Sequence, residues 1–154
     1  MAINISELLN PACIELDLAA KKKPDIIKEL ASVLARGGGV EDQDKLYKEL
    51  MKREKMTSTG IGSGIAIPHC LSSQVQEMHV AFGRKLEGAK FDAVDNQPVS
   101  LFFLLAGPEG GHSRHLQVLS RLARYLHDPG FCNELLAAAA PEEVIAAFTR
   151  KEEE

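Results

Sequence analysis

Apolar and polar positions along the chain fall into blocks of different period, and each block predicts an element. Ile26, Ile27, Leu30, Val33 and Leu34 recur at helical spacing, with Pro24 suited to a first turn. The run RGGG at Arg36–Gly39 stops that helix. A second helix is predicted from about Asp42 to Glu54 on Leu46, Tyr47, Leu50 and Met51. CIEL at Cys13–Leu16 predicts a short strand, as do MHVAFGR at Met78–Arg84 and VSLFFLLA at Val99–Ala106. The last of these is apolar on both faces, which predicts a central, covered strand. After GPEGG a long helix begins near Ser113 and carries Leu116, Leu119, Leu122 and Leu126; two shorter helices follow, and the closing KEEE is expected to fray. Strands interleaved with helices predict an α/β layered domain with helices on both faces of one sheet. No internal repeat or low-complexity linker interrupts it, so the chain reads as one domain.

Composition narrows the function classes. The chain has 154 residues, 45% hydrophobic and 26% charged, a size and balance suited to one soluble domain with a single sizeable core. A net charge of -4, with both signs mixed, leaves no basic footprint for nucleic acid. KKKP at Lys21–Pro24 and KREK at Lys52–Lys55 are short and read as solvated helix ends. MAINISELLNP lacks the pattern of a signal peptide, and LFFLLA at Leu101–Ala106 is too short to span a bilayer, so no membrane insertion is expected. Three cysteines without paired spacing argue for a reducing, cytoplasmic setting.

The stretch with candidate chemistry is STGIGSGIAIPHC, Ser58–Cys70. The dinucleotide fingerprint would need a glycine at Ile65, a P-loop would need Gly-Lys-Ser/Thr, and a nucleophile elbow on Ser63 would need glycines at Ile61 and Ile65. All three fail. What remains is a permissive loop with hydroxyls at Thr57, Ser58, Thr59 and Ser63. Its N–H groups could form an anion-binding concavity, or the glycines could simply make a tight turn between helix and strand. IAIP then reads as extended, and pairing weakens at Pro68, so His69 emerges at a strand end.

A helical wheel supplies a second histidine. Steps of 100° place His115 within about 40° of Leu119, Leu122 and Leu126, so it points inward from a first helical turn, where the helix dipole favours a neutral ring. An inward histidine is more often a hydrogen-bonded structural residue than a reactive one. His112 lies near the same meridian but is expected in the loop, while His79 and His127 have no evident partner. Arg53 sits at the edge of the stripe of the second helix, which centres on the direction of Glu54. It could reach over the glycine loop, extend into solvent or pair with Glu54.

Together these residues resemble a known family. STGIGSGIAIPH is similar to the active-site segment of IIA domains of the phosphoenolpyruvate-dependent phosphotransferase system, fructose/mannitol class. HLQVLSRLA at His115–Ala123 resembles the second signature of that class, and Arg53-Glu54 the pair that precedes the loop. The likeness runs from about Ile5 to Phe148, with 149–154 expected as a frayed tail. It implies a mixed parallel and antiparallel sheet flanked by helices. His69 would be the phosphorylated nucleophile, His115 its hydrogen-bonding partner and Arg53 the residue that neutralises phosphate charge. Ser58, Thr59, Gly60, Ile61 and Gly62 would form the phosphate loop. The resemblance further implies an HPr-like phosphoryl donor and no metal or organic cofactor. The acceptor would be a IIB domain or a regulatory target, and the protein a monomer or weak dimer. The start INISELLNPACIELDL, with no fused IIB, IIC or HPr segment, resembles the nitrogen-regulatory group rather than the sugar-specific one.

One departure and one rival accompany this reading. Many relatives follow Pro-His with a small residue and then a basic one, whereas Cys70 and Leu71 stand here, removing a positive charge from the rim. Neighbours on an extended chain point to opposite faces, so Cys70 is expected to turn away as a small buried apolar residue. The rival is a zinc hydrolase using His69, His112 and His115 with Cys70 or Cys132; HSRH offers a tolerable ligand spacing, but no HExxH pattern completes it.

Overall fold

The computed structural model describes residues 4–154. In chain order the elements are α1 (Ile5–Leu8), β1 (Leu9–Glu15), α2 (Lys23–Ala35), α3 (Gln43–Met56), β2 (Gly60–Gly62), β3 (Ile65–Ala66), β4 (His69–Leu71), β5 (His79–Ala89), β6 (Val99–Gly107), α4 (His112–Leu126), α5 (Pro129–Ala137) and α6 (Pro141–Glu152). The sheet runs β1-β5-β6-β3-β2, with β4 also paired to β6. β1 is parallel to β5, β5 antiparallel to β6, β3 and β4 parallel to β6, and β2 antiparallel to β3. The sheet is therefore mixed, as the resemblance implied.

The run of apolar residues in β6 now has its cause. Leu101, Phe103 and Leu105 face one core with Ile65, Ile67, Val80 and Phe82, covered by Val118, Leu122 and Tyr125 of α4, Phe131 of α5 and Phe148 of α6. Phe102, Leu104 and Ala106 face the other with Ala66, Cys70 and Ala81, covered by α2 through Ile26, Ile27, Leu30, Val33 and Leu34 and by α3 through Leu46 and Leu50. A strand packed on both faces reads as a continuous hydrophobic run. Ring packing stiffens the first core: Phe103 lies 4.8 Å from Phe82, and Phe131 lies 4.9 Å from Phe148, centroid to centroid.

Several boundaries differ from expectation. β1 begins at Leu9 rather than Cys13, and β5 continues to Ala89. Helix α4 starts at His112, so that residue is helical rather than part of the loop. Its buried stripe runs through His115, Val118, Leu122, Tyr125 and Leu126, while Leu116 is 65% exposed and off the stripe. The tail is also corrected. α6 extends to Glu152 because Lys151 pairs with Asp128 at 2.6 Å and Glu152 accepts hydrogen bonds from the N–H and hydroxyl of Ser6. Arg84, buried within β5, donates to the carbonyls of Leu135, Leu136 and Ala138 and so closes the end of α5. Among the described residues no helix is long and apolar enough to cross a membrane.

Candidate functional site

The glycine segment folds as a tight hairpin. β2 and β3 are joined through Ser63 and Gly64, whose φ values of +57° and +80° match the two-residue turn that best suits paired strands. Asp95 locks the turn by accepting from the Ser63 N–H at 2.9 Å. Gly60 has no room for a side chain, since a Cβ there would lie 2.8 Å from the Ala93 Cα. The segment makes the tight turn that was one of the two readings left by the sequence.

Of the donors expected to cradle an anion, the Ser58 hydroxyl, both donors of Thr59 and the Gly60 N–H are already engaged within the protein. Thr59 donates its N–H to Glu54 Oε2 at 2.7 Å and its hydroxyl to Glu54 Oε1 at 2.6 Å. The Ser58 hydroxyl donates to the Phe91 carbonyl at 3.0 Å and accepts from the Gly60 N–H at 3.1 Å. Ile61 projects outward, 45% exposed, and Gly62 turns through a φ of +96°. Glu54 is buried and held by Lys23, whose Nζ lies 2.9 Å from Oε2. Lys23 also reaches the Phe91 carbonyl at 3.3 Å. Sequence reasoning assigned neither Glu54 nor Lys23 to the site. The signal for Glu54 was present, because the apolar stripe of α3 points at it.

After the hairpin the chain stays extended. Ile67 donates its N–H to the Thr59 carbonyl at 3.0 Å, and the Pro68 carbonyl accepts from Leu105 at 3.0 Å. β4 then resumes on β6, with His69 opposite Leu105 and Cys70 opposite Ala106. His69 therefore shares the face of Ile65 and Ile67, toward α4, while Cys70 belongs to the core under α2 and α3. Burial, with some help from the charge of Glu49, pushes the Cys70 thiol up to about 12, so it stays protonated. The expectation that Cys70 turns away holds.

The two histidines meet, with ring centroids 5.5 Å apart and planes at 48°. His69 Nδ1 lies 2.7 Å from the Ile67 carbonyl oxygen. A carbonyl can only accept, so Nδ1 carries the hydrogen and Nε2 is left with its lone pair. Burial holds His69 below the ordinary imidazole value, and the Arg53 charge adds to this; the Ile67 hydrogen bond and Glu54 pull the other way. His115 is 7% exposed, and its Nδ1 is buried without a hydrogen-bond partner. A Cβ at Gly107 would lie within 3.5 Å of His115 Nδ1, Met78 Cε and Leu71 Cδ2, so these atoms close round the same point. A buried orphan lone pair is tolerated more readily than an orphan N–H, which assigns the hydrogen of His115 to Nε2. Burial first, then the neighbouring His69 and His112, lower His115 to about 4, and it is neutral at physiological pH.

Arg53 donates from Nη1 to the Thr57 carbonyl at 3.2 Å, at the end of its own helix. It does not pair with Glu54, which is held by Lys23, yet its charge reaches His69. Among the described residues, no group of three or more His, Cys, Asp or Glu side chains is placed to hold a metal ion.

The mixed sheet thus brings His69, on a strand paired to β6, against His115 on the facing helix α4. The family model for "Phosphoenolpyruvate-dependent sugar phosphotransferase system, EIIA 2" matches residues 7–151, and the chain belongs to that family. It is 36% identical over 149 residues to a nitrogen regulatory protein of Klebsiella oxytoca, covering 96% of this chain and 91% of that protein. It is also 36% identical over 143 residues to the fructose-specific EIIABC component of Bacillus subtilis, covering 93% of this chain but spanning only 22% of that relative. Among solved structures, the nitrogen regulatory protein IIA-Ntr of Neisseria meningitidis matches with a TM-score of 0.87 and 36% identity, covering 94% of this chain and 98% of that one. The protein is thus a phosphotransferase-system component of the IIA kind.

Proposed function

We propose that the protein carries a phosphoryl group on His69 Nε2. The observation that carries this reading is the hydrogen bond from Nδ1 to the Ile67 carbonyl, which leaves the Nε2 lone pair free beside His115. The lone pair attacks phosphorus and forms the N–P bond as the donor–phosphorus bond breaks, its electron pair departing with an HPr-like donor. Positioning and charge stabilisation suffice for such a transfer. His115, neutral and hydrogen-bearing at Nε2, donates to a phosphoryl oxygen, and Arg53 contributes positive potential. Ser58–Gly62 and the hairpin of β2 and β3 that they lead into act as the scaffold that aims His69. No step needs a metal or organic cofactor.

Incubation with phosphoenolpyruvate, the general enzyme and HPr tests the reading. Acid-labile, alkali-stable label is expected on the wild type and none on His69→Ala. Label persisting in that variant, or none in the wild type with a competent donor, overturns it.

Downstream, the proposal is regulation by partner binding that differs between the two phosphorylation states. Near end-to-end similarity to nitrogen regulatory proteins supports it. Equal identity to a fructose-specific component supports the second reading, delivery to a IIB domain for carbohydrate uptake. Presenting the phosphorylated protein with fructose-type IIB domains separates them: rapid discharge supports sugar transfer, and retention of label supports regulation.

A further inference from the structure

We propose that Glu54 is a positioning residue that sets the tautomer of His69 through a relay of hydrogen bonds. This rests on the reading of His69 as the phosphoryl acceptor. The relay is continuous. Lys23 holds Glu54 at 2.9 Å, and Glu54 accepts both the N–H and the hydroxyl of Thr59. The carbonyl of Thr59 accepts from the Ile67 N–H at 3.0 Å, and the carbonyl of the same Ile67 accepts from His69 Nδ1 at 2.7 Å. Each residue in the relay is therefore held through its N–H and presents its carbonyl to the next donor.

Its chemistry follows from what attack by Nε2 does to the ring. As the N–P bond forms, positive charge develops on the imidazole and Nδ1–H becomes a stronger donor. A carbonyl already fixed at 2.7 Å meets that demand without reorganisation. An Ile67 carbonyl that turned away with its residue would let the hydrogen move to Nε2 and block the nucleophile. Glu54 is suited to prevent this, since its side chain is only 3% exposed and its carboxylate accepts three donors on two oxygens. It is the acidic counterpart of the third member in nucleophile–base–orienter arrangements, but it works through backbone and not by touching the ring.

The test reads the unphosphorylated full-length chain by long-range nitrogen-15 correlation of its histidine rings, which reports the tautomer without any transfer. In the wild type, His69 should show a protonated Nδ1 and a bare Nε2. In Glu54→Gln the Nδ1–H form should give way to a mixture of tautomers. Phosphorylation by phospho-HPr should slow about tenfold, the lower end of the loss found when partners that orient metal-ligating histidines are removed. Thr59→Val, which keeps the N–H but lacks the hydroxyl, should shift both readouts the same way by less. It also keeps the test alive if Glu54→Gln fails to fold. An unshifted tautomer in a folded variant, even with slower transfer, overturns the relay and leaves Glu54 as a loop brace alone. Absence of transfer in the wild type instead defeats the acceptor reading, so the two failures are distinguishable.

Discussion

The two histidines come from regions that hold their rings in opposite ways. His69 ends a segment tied by hydrogen bonds, from Thr59 through Ile67 to its own Nδ1. His115 sits on α4 with no bond at Nδ1, packed where Met78 and Leu71 close round Gly107. Polar anchoring chooses which nitrogen is free. Apolar packing keeps the other ring uncharged without choosing a partner for it. In the proposed mechanism the first ring is the one that is aimed and the second the one that donates.

The comparison can be broken first at its apolar half. If His115 donates to the phosphoryl group as proposed, His115→Ala should slow transfer about a hundredfold, as loss of a preorganised donor does. The label should stay on His69, as peptide mapping of the phosphorylated variant will show. At the polar half, Gly60→Ala drives a methyl into the Ala93 backbone, and the hairpin must shift. A loss of about 2 kcal/mol is expected from denaturant unfolding.

Acid sharpens the contrast. The folded-state value of His115 is lowered from 6.5 to about 4, so the unfolded chain binds more protons between those values. The stability tied to a neutral His115 is fully present above pH 6.5 and is lost as pH falls toward 4. His69 is lowered in the same direction. Between pH 7 and about pH 5, His115→Asn should lose less stability than the wild type in denaturant titrations. The smallest effect is expected at Cys70, on the far side of the sheet. Cys70→Ala should leave the rate of phosphorylation unchanged within error while costing about 1 kcal/mol of stability.

How much of this was legible in the sequence follows from which forces were local. Helical spacing located α2, α3 and α4, and the double-faced apolar run located β6 as the central strand. The inward direction of His115 followed from angle alone, because a helix converts spacing into direction. Leu116 misled for the same reason, since an apolar residue off the stripe does not bury. The loop hydroxyls were read as free because their partners lie elsewhere: Phe91 is 33 residues from Ser58, and Lys23 lies 35 residues before it. The anchoring of α6 by Asp128 and Ser6 is likewise non-local, so KEEE looked like any charged tail. The pattern places Arg84 only as the end of a strand; the three carbonyls that receive it at the end of α5 lie more than fifty residues away.

Pro68 interrupts the strand without changing its count. Ile65 lies opposite Leu101 before it and His69 opposite Leu105 after it, the same offset on both sides. Chemistry on this strand therefore obeys parity. Odd positions belong to the imidazole's side and even ones to the opposite core. Of the two residues by which the chain departs from the small-then-basic pair, Cys70 is even and mute toward the site, whereas Leu71 is odd and only partly buried on the imidazole's side. A charge written at 71 would be felt by an incoming partner, and one written at 70 would be felt only by the fold.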